Sequence, residues 1–317
     1  MTCKNFADSS SSGLAYGKQV DCGEPQTQLT EMRFTSSDLQ FSAESTQSEE
    51  IRADRNVPDL VRTATSVSGT VGYEWSYGTY NDFIQAVMST DDELDGAGTL
   101  IKNGTAKTYF TFEDNTTGSA KFYRQFYDCE IDTMSFNIAQ GEILTGTMGI
   151  MGRSATSGTK SDDPDGYDPS STTPVYNAVE MVSSIQVDDA DIGEVQAITV
   201  DIANNKREQR AIGNVGLAGV GDGQFIVTGT MTLYFTDLTM YNKFLNDETF
   251  KFDMTLDDLT GTTNGNQIYM EMPRVKFGNV NWSIPGNNQD ILLQADYQAI
   301  YDGASGATLL ISTTDAA

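Results

Sequence analysis

The chain contains one sequence pattern twice, and this repeat limits the possible folds more than any other feature. Over residues 66–88, apolar residues alternate as far as Trp75 and then recur at helical spacing from Tyr80. The alternation predicts a strand with one buried face, and the later spacing predicts a helix with one apolar face. Residues 226–247 repeat both parts, which indicates a tandem duplication of one unit. The aligned strand positions are Val67, Gly69, Val71, Tyr73 and Trp75 with Val227, Gly229, Met231, Leu233 and Phe235.

The repeat extends on both sides of this stretch. Upstream, the sequence from Leu39 aligns with the sequence from Ile198, and downstream 129–138 aligns with 275–284. In the downstream pair the apolar alternation breaks by one residue after Ile131 and after Phe277. An extra residue at a fixed point of a strand is typical of a β-bulge, so we predict one bulge at the same place in each copy.

These patterns predict a mainly β (α+β) fold of two tandem β-sandwich domains. Each domain is expected to have a flanking α-helix and a long loop between its first two strands. The predicted division is an N-terminal arm (1–31), a first domain (32–154), a linker rich in Ser, Thr, Asp and Pro (155–181), a second domain (182–303) and a C-terminal tail (304–317). The arm is rich in Ser, Gly and Gln, and we expect it to become ordered only against another surface.

Charge excludes one class of function. Acidic residues outnumber basic residues 45 to 19, giving a net charge of −26. A chain this acidic repels DNA phosphates and anionic membranes, so a nucleic-acid-binding role is unfavourable. The two long loops nevertheless carry several basic side chains. These basic side chains have two interpretations. Each loop is either a solvated loop whose charges neutralise one another or a docking element that can form ion pairs.

The residue types also limit catalysis and metal binding. The chain has no histidine, which removes the usual general base and the usual zinc ligand. Its three cysteines are widely spaced, so reduced thiols are expected. The N-terminus has no Sec-type signal and no apolar run is long enough to span a membrane, so a soluble product is expected. We predict no catalytic residues, no cofactor and no metal.

Rival interpretations use the acidic clusters and the aromatic residues. Residues 90–93 and 162–168 contain paired carboxylates, the groups that glycoside hydrolysis needs. The sequence around each cluster nevertheless predicts a solvated turn. The string around Gly166 resembles a calcium loop that lacks two key ligands. The glycine-rich stretch at 216–224 lacks a phosphate-binding motif. Trp75 and Trp282 both fall on apolar strand faces, where core packing is favoured over glycan binding.

The order of "MRFTSSDLQFS", "SEEIRADRNVPDLV" and "SVSGTVGYEWSYGTYNDFIQAVM" resembles the major tail tube proteins of long-tailed bacteriophages with non-contractile tails (siphophages). The resemblance covers most of the first unit and, through the repeat, the second. It implies a β-sandwich with a flanking helix that assembles as stacked rings. Four strands of each unit would line the tube wall, and the long loop would reach the adjacent ring. The alternative is a glycan-binding or glycan-degrading β-sandwich protein of a phage tail or cell surface.

The resemblance implies an oligomer. Related tubes place one such unit in a hexamer, so two units per chain predict a homotrimer with pseudo-sixfold symmetry. About 24 strands at roughly 4.8 Å spacing and 40° tilt would leave a channel on the order of 35–40 Å. Such a channel would pass a DNA duplex about 20 Å wide during genome ejection, and its acidic wall would release no counterions from DNA.

The resemblance also assigns residues and partners. Inter-ring contacts are expected from Glu49, Glu50, Arg52, Arg55, Arg62, Lys206, Arg207 and Arg210, and lumen positions from Glu74, Asp132, Asp290 and Asp296. The expected partners are further copies of the chain, the tape measure protein and the tail-terminating proteins. Double-stranded DNA would pass without specific binding, and the subunit would not insert into a membrane. The protein would be made in the host cytoplasm and reside in the virion tail.

Overall fold

A computed structural model of the chain describes residues 9–116, 121–192, 195–260 and 265–316. The fold is a mainly β sandwich with two α-helices among these residues. The elements are a 3-10 turn Ser9–Ser11, β1 Ser12–Lys18, β2 Thr30–Glu31, β3 Ser36–Ser37, β4 Gln40–Gln47, β5 Leu60–Glu74, α1 Asn81–Met88, β6 Ile101–Lys102, β7 Phe110–Thr116, β8 Phe122–Ala139, β9 Thr145–Gly152, β10 Ser154–Gly158, β11 Val182–Val187, β12 Ala190–Asp191, β13 Val195–Ala203, β14 Arg207–Gln209, β15 Gly219–Gly221, β16 Ile226–Tyr234, α2 Thr239–Leu245, β17 Phe250–Asp257, β18 Gln267–Trp282, β19 Leu292–Ala299 and β20 Leu310–Thr314.

One continuous antiparallel layer runs through both halves of the chain. Its order is β4–β5–β9–β8–β13–β16–β19–β18. The β8–β13 pair joins the two halves, since β8 precedes the central linker and β13 follows it. The two halves contribute four strands each, β4–β5–β9–β8 and β13–β16–β19–β18, and equivalent strands occupy the same places in the two sets. The internal duplication itself stays a prediction.

Two long strands, β8 and β18, connect this layer to the second layer of the sandwich. The N-terminal part of β8 pairs with β7 and β10, and that of β18 pairs with β17 and β20. Each strand then passes into the continuous layer across a register shift, between Ile131 and Thr133 in β8 and between Phe277 and Asn279 in β18. The predicted bulge is therefore confirmed in both strands, with Asp132 and Gly278 as the extra residues. A bulge bends its strand, which allows one strand to serve both layers.

The core lies between the layers and follows the predicted alternation. Tyr73 and Trp75 are fully buried, and Trp75 packs on Phe136 with ring centroids 4.4 Å apart. Trp75 is therefore a core residue, as predicted. Trp282 is not, because it stacks on Phe235 at 5.0 Å and remains 39% exposed at the end of β18.

The first 31 residues differ from the predicted arm. Within the described part of this segment, β1 pairs along its whole length with β7, and β2 pairs with β1. Leu14, Ala15 and Leu29 are buried. Both faces of β1 are covered, so its sequence lacks the period-2 signature that reveals a half-buried strand. These pairings favour starting the first unit at Ser12, although the domain division remains a prediction.

The linker and the C-terminal tail also contribute to the sandwich. The Leu29 amide donates to Asp163 at 2.9 Å, and the Asp168 amide donates to the Leu29 carbonyl at 2.8 Å. Further along, Tyr176 is fully buried and its amide donates to the Trp75 carbonyl at 2.7 Å. At the other end, β20 pairs with β18 and with β6.

The structure corrects two details of the repeat. Phe41 pairs with Val67, and Ile202 pairs with the matching residue Val227, so Phe41 corresponds to Ile202. The predicted alignment of the first strands, Leu39 with Ile198, is therefore two residues out of register. In addition, the first long connection is mostly a hairpin. Strands β4 and β5 remain paired as far as Gln47 and Leu60, so only residues 48–59 form the loop.

Candidate functional surfaces

The continuous layer has one polar face that crosses both halves. Opposed residues in a sheet share a face, so the strand registers define the rows of side chains that run across it. One row is Glu74, Thr145, Asn137, Thr199, Thr230, Asp296 and Asn279. The next row is Gly72, Thr147, Ser135, Asp201, Thr228, Gln298 and Lys276. Hydroxyl and amide groups therefore predominate, and the charged residues are mostly acidic.

Two of the four predicted lumen residues lie in the same row. Glu74 stands at its β5 end and Asp296 near its β18 end. Asp132 is instead the bulge residue, and its carboxylate accepts a hydrogen bond from the Lys206 amide at 2.7 Å. Asp290 lies before β19, outside the paired strand.

Asp201 is a further acidic residue on this face that the sequence analysis missed. It lies between the buried residues Val200 and Ile202, so alternation alone places it on the polar side of β13. Burial of its carboxyl raises the pKa of Asp201 above its usual value.

The second long loop folds back onto its own chain. The Lys206 ammonium, 4% exposed, lies 2.8 Å from the buried Glu130 carboxylate and 2.6 Å from Asp222. Lys107 approaches the same two carboxylates at 3.6 and 3.4 Å. Burial alone would lower the pKa of Lys206, but hydrogen bonds and the charges of Asp222 and Glu130 outweigh burial and raise it. The side chain of Lys206 is thus enclosed within the chain, and its predicted contact with another ring stays a prediction.

The other basic residues of this loop also have partners within the chain. Arg207 donates to the Asp222 carbonyl at 2.8 Å, and Arg210 pairs with Glu208 and, at 3.2 Å, with Glu44 of β4. The Val215 carbonyl accepts the Thr65 amide of β5 at 2.9 Å. The second loop thus braces the base of the β4–β5 hairpin.

The first loop, residues 48–59, extends away from these contacts. Arg52 forms a two-bond pair with Asp54 at 3.1 Å. Arg55 adopts the left-handed backbone conformation, with φ of 60°, in an exposed turn. Glu49, Glu50 and Arg62 are exposed as well. The inter-ring role predicted for these five residues stays a prediction.

The acidic clusters are the remaining candidate sites of the described ranges. These ranges contain no group of three or more His, Cys, Asp and Glu residues placed to hold a metal ion. The carboxylates at 162–168 hold the linker in place, since Asp163 accepts the amides of Leu29, Asp165 and Gly166. None of the helices in the described ranges is long and apolar enough to span a membrane.

Both ends of the continuous layer are open. Within the described part of the chain, β4 pairs only with β5, and residues 279–282 of β18 pair only with β19. A β-sandwich with two such edges has unpaired backbone groups at both ends of the layer, where a further strand can add. The chain belongs to the phage tail tube protein family, whose model matches residues 9–299. It is thus a structural component of the virion tail that self-assembles into a tube. No match to a curated protein was found.

Proposed function

We propose that three copies of the chain close head to tail into a ring, and that stacked rings form a conduit for DNA. The observation that carries this proposal is the β8–β13 junction inside one chain. There Met134, Phe136 and Ile138 of β8 stand opposite Ile202, Val200 and Ile198 of β13, and all six side chains are buried. This junction supplies a template for the contact between chains.

The free end of β18 has exposed apolar residues where β8 has buried ones. Counted from the two bulges, Trp282 corresponds to Phe136 and Ile284 to Ile138. Trp282 is 39% exposed against 1% for Phe136, and Ile284 is 77% exposed against 6%. Exposed apolar side chains in a strand edge favour an interface.

The opposite edge, at β4, has the complementary features. Phe41, whose counterpart in β13 is the buried Ile202, is 42% exposed. A cavity of about 600 Å³ lies beside Ser36 and Ser37 and is lined in part by Leu14, Phe34 and Phe122. Repeating the internal register between chains places Val280 opposite Phe41 and brings Ile284 toward this cavity.

The two helices support the same arrangement. At the internal junction α1 buries six residues, and the Asn204 amide of the second half donates to the Val87 carbonyl at 2.9 Å. In contrast, α2 buries none of its residues, and Leu238 just before it and Leu245 at its end are exposed. The missing cover for α2 is what a neighbouring chain would supply.

Three chains with eight strands each give the 24-strand wall expected from six units. The polar face would line the channel, because its charged groups are mostly acidic and acidic groups release no counterions from DNA. DNA would then pass without binding, between a tape measure protein inside the growing tube and terminating proteins at its ends. The glycan-binding alternative is less favoured, because Trp75 is buried and Trp282 stacks on Phe235.

Cysteine cross-linking tests the ring. Gln40→Cys with Asn281→Cys, in a Cys3→Ser, Cys22→Ser background, places two thiols opposite each other between chains. Oxidised assemblies should give products of two and three chains on a denaturing gel, and the ladder should stop at three. The matched control is Ser135→Cys with Asp201→Cys, whose positions face each other within the chain and should give only an internal disulfide. A ladder continuing to six chains, or no cross-link in formed tubes, would contradict the proposal.

A further inference from the structure

We propose that Lys276 of one copy pairs with Glu44 of the next copy in the ring, and that this ion pair selects head-to-tail closure over contacts between like edges. Lys276 lies in β18 and Glu44 in β4, the strands at the two open ends of the continuous layer. This inference rests on the proposed ring and names the charged contact between its chains.

The internal junction shows where two such side chains meet. There the Asn204 amide donates to the carbonyl of the bulge residue Asp132 at 2.9 Å. Just beyond this bond, the Lys206 ammonium lies 2.8 Å from the Glu130 carboxylate. An ion pair therefore closes the internal junction at the bulge, immediately after the paired part of β8 and β13.

The open edges carry charges at the corresponding positions. Counted from the two bulges, Lys276 is the counterpart of Glu130. In the other strand, Glu44 is the counterpart of Asn205, which directly precedes Lys206. Repeating the internal register between chains places Glu44 beside the bulge of β18, within reach of the long Lys276 side chain.

Both side chains lie on the polar face of the layer and are accessible to a second copy. Lys276 stands opposite Gln298 of the second polar row. Glu44 lies three residues after Phe41, which faces the core side opposite Val67, so alternation places Glu44 on the polar side. The Lys276 side chain is 35% exposed and that of Glu44 is 70% exposed.

Each charge already has a partner of opposite sign within its own chain. Asp247 lies 2.6 Å from the Lys276 ammonium, and the Arg210 guanidinium lies 3.2 Å from the Glu44 carboxylate. Arg210 also pairs with Glu208. The inter-chain pair would join these groups into one network of alternating charge across the boundary. Exposed ion pairs contribute more in such networks than they do alone.

The signs of the charges select the way in which chains meet. The charged residue of β4 is acidic, whereas residues 274–282 of β18 contain two basic residues and no acid. Pairing β18 with β4 therefore brings opposite charges together, and pairing either edge with its own copy offers no opposite charge on the strand. Head-to-tail contacts generate a closed ring, whereas contacts between like edges generate twofold dimers.

The same rule holds at both junctions of the proposed ring. The first half supplies the acid at each junction, Glu130 inside the chain and Glu44 between chains. The second half supplies the base at each, Lys206 and Lys276. First and second halves therefore attract one another, and the charges favour a ring in which the two halves alternate.

Charge substitution in the cross-linking background tests the pair. Lys276→Glu is added to Gln40→Cys with Asn281→Cys, in which ring closure is scored as the three-chain product. At low salt we expect about tenfold less of this product, because an attraction becomes a repulsion at every junction between chains. Adding Glu44→Gln should restore the product, since the new carboxylate would then face Arg210 of the neighbouring copy.

Two controls accompany this test. Lys102→Glu makes the same change of charge at an exposed position in β6, and the yield of the three-chain product should not change. Circular dichroism checks that each variant keeps the fold. In about 1 M salt, where the screening length falls to about 3 Å, the deficit of Lys276→Glu should shrink.

The outcomes separate the ion pair from the ring itself. A loss with Lys276→Glu, its rescue by Glu44→Gln and a normal yield with Lys102→Glu support the pair. An undiminished product with Lys276→Glu, a loss that Glu44→Gln does not restore, or an equal loss with Lys102→Glu overturns the pair and leaves the ring proposal intact. Tubes without a three-chain product in the parent background overturn the ring proposal, and the pair with it.

Discussion

Lys206 and Glu130 join the two halves of the chain by a buried ion pair 2.8 Å long. Lys206 begins the folded-back loop of the second half, and Glu130 belongs to β8 of the first. Both side chains are almost wholly enclosed, and Lys107 and Asp222 complete the cluster. The pair therefore fixes the second loop beside the internal junction and leaves the first loop as the projecting one.

Replacement of Lys206 with Met should strongly destabilise the fold. It leaves the Glu130 carboxylate buried with only the more distant Lys107, and loss of one partner of a buried pair costs about 3–5 kcal/mol. Urea unfolding followed by circular dichroism would measure this change. The matched control is Arg62→Met, an exposed site that should change the free energy of unfolding by less than about 0.5 kcal/mol. Equal effects of the two variants would contradict the assigned role.

The same cluster predicts a window of pH stability. The pKa of Lys206 is raised, so its contribution is complete below the unfolded value of about 10.4 and is lost as pH rises through the folded pKa. For Asp222, burial would raise the pKa, but Lys206 and Lys107 outweigh burial and lower it. Its contribution is present above about pH 4 and is lost as pH falls through the folded value. The excess stability of wild type over Lys206→Met should therefore be largest between about pH 4 and 10. A difference independent of pH would refute this.

A tyrosine laid across a glycine stabilises each half, and its removal should be measurable. Tyr297 reaches over Gly229 and donates to the Thr199 carbonyl at 2.7 Å, and Tyr73 reaches over Gly146 to the Ser135 carbonyl at 2.9 Å. Tyr297→Phe should lower the free energy of unfolding by about 1 kcal/mol, the usual value of one such bond. The control Tyr301→Phe is exposed and should have no effect. Thermal unfolding would compare the two.

The open edge of β18 should be needed for assembly and dispensable for folding. Trp282→Ser with Ile284→Ser removes exposed apolar surface, so the free subunit should keep its melting temperature within a few degrees. Ring formation, followed by analytical ultracentrifugation, should fall at least tenfold. Leu100→Ser with Val20→Ser, two exposed sites away from this edge, is the matched control. Normal assembly of the Trp282 and Ile284 variant would show that this edge does not join chains.

The polar face should govern contact with DNA. Asp201→Lys with Asp296→Lys puts positive charge on that face, and tubes of this variant should retain duplex DNA in low salt, since cationic contacts release counterions. Wild-type tubes should not retain it. The control Asp91→Lys with Asp92→Lys makes the same change of charge in an exposed turn off the face. Co-sedimentation would measure retention, and equal retention by both variants would argue against a lumenal position.

Much of the fold was predictable because it depends on local patterns. Alternation identified the core strands, and a shared break in that alternation located the bulges at Asp132 and Gly278. Helical spacing identified α1 and α2. The position of Asp201 on the polar face could also have been predicted, since it alternates with Val200 and Ile202. In contrast, β1 has both faces covered, so its sequence carries no period that distinguishes it from a polar segment.

The paths of the long loops were less predictable because they depend on contacts distant in sequence. Lys206 reads as an exposed basic residue until Glu130, from another strand, encloses it. The exposure of Trp282 could not be predicted from its place on an apolar strand face either. It results from the open edge of the layer, and that edge depends on the order of the strands. Long-range pairing, rather than local composition, decides which loop projects and which folds back.

The proposed ring requires β18 of one chain to pair with β4 of the next, three chains to a ring. A cryo-electron-microscopy reconstruction of the assembled tube tests it most directly. We expect three chains per ring, an unbroken wall in which Val280 stands opposite Phe41 of the neighbour, and the row from Glu74 to Asp296 facing the channel. Six chains per ring, or rings in which β4 and β18 do not meet, would contradict it.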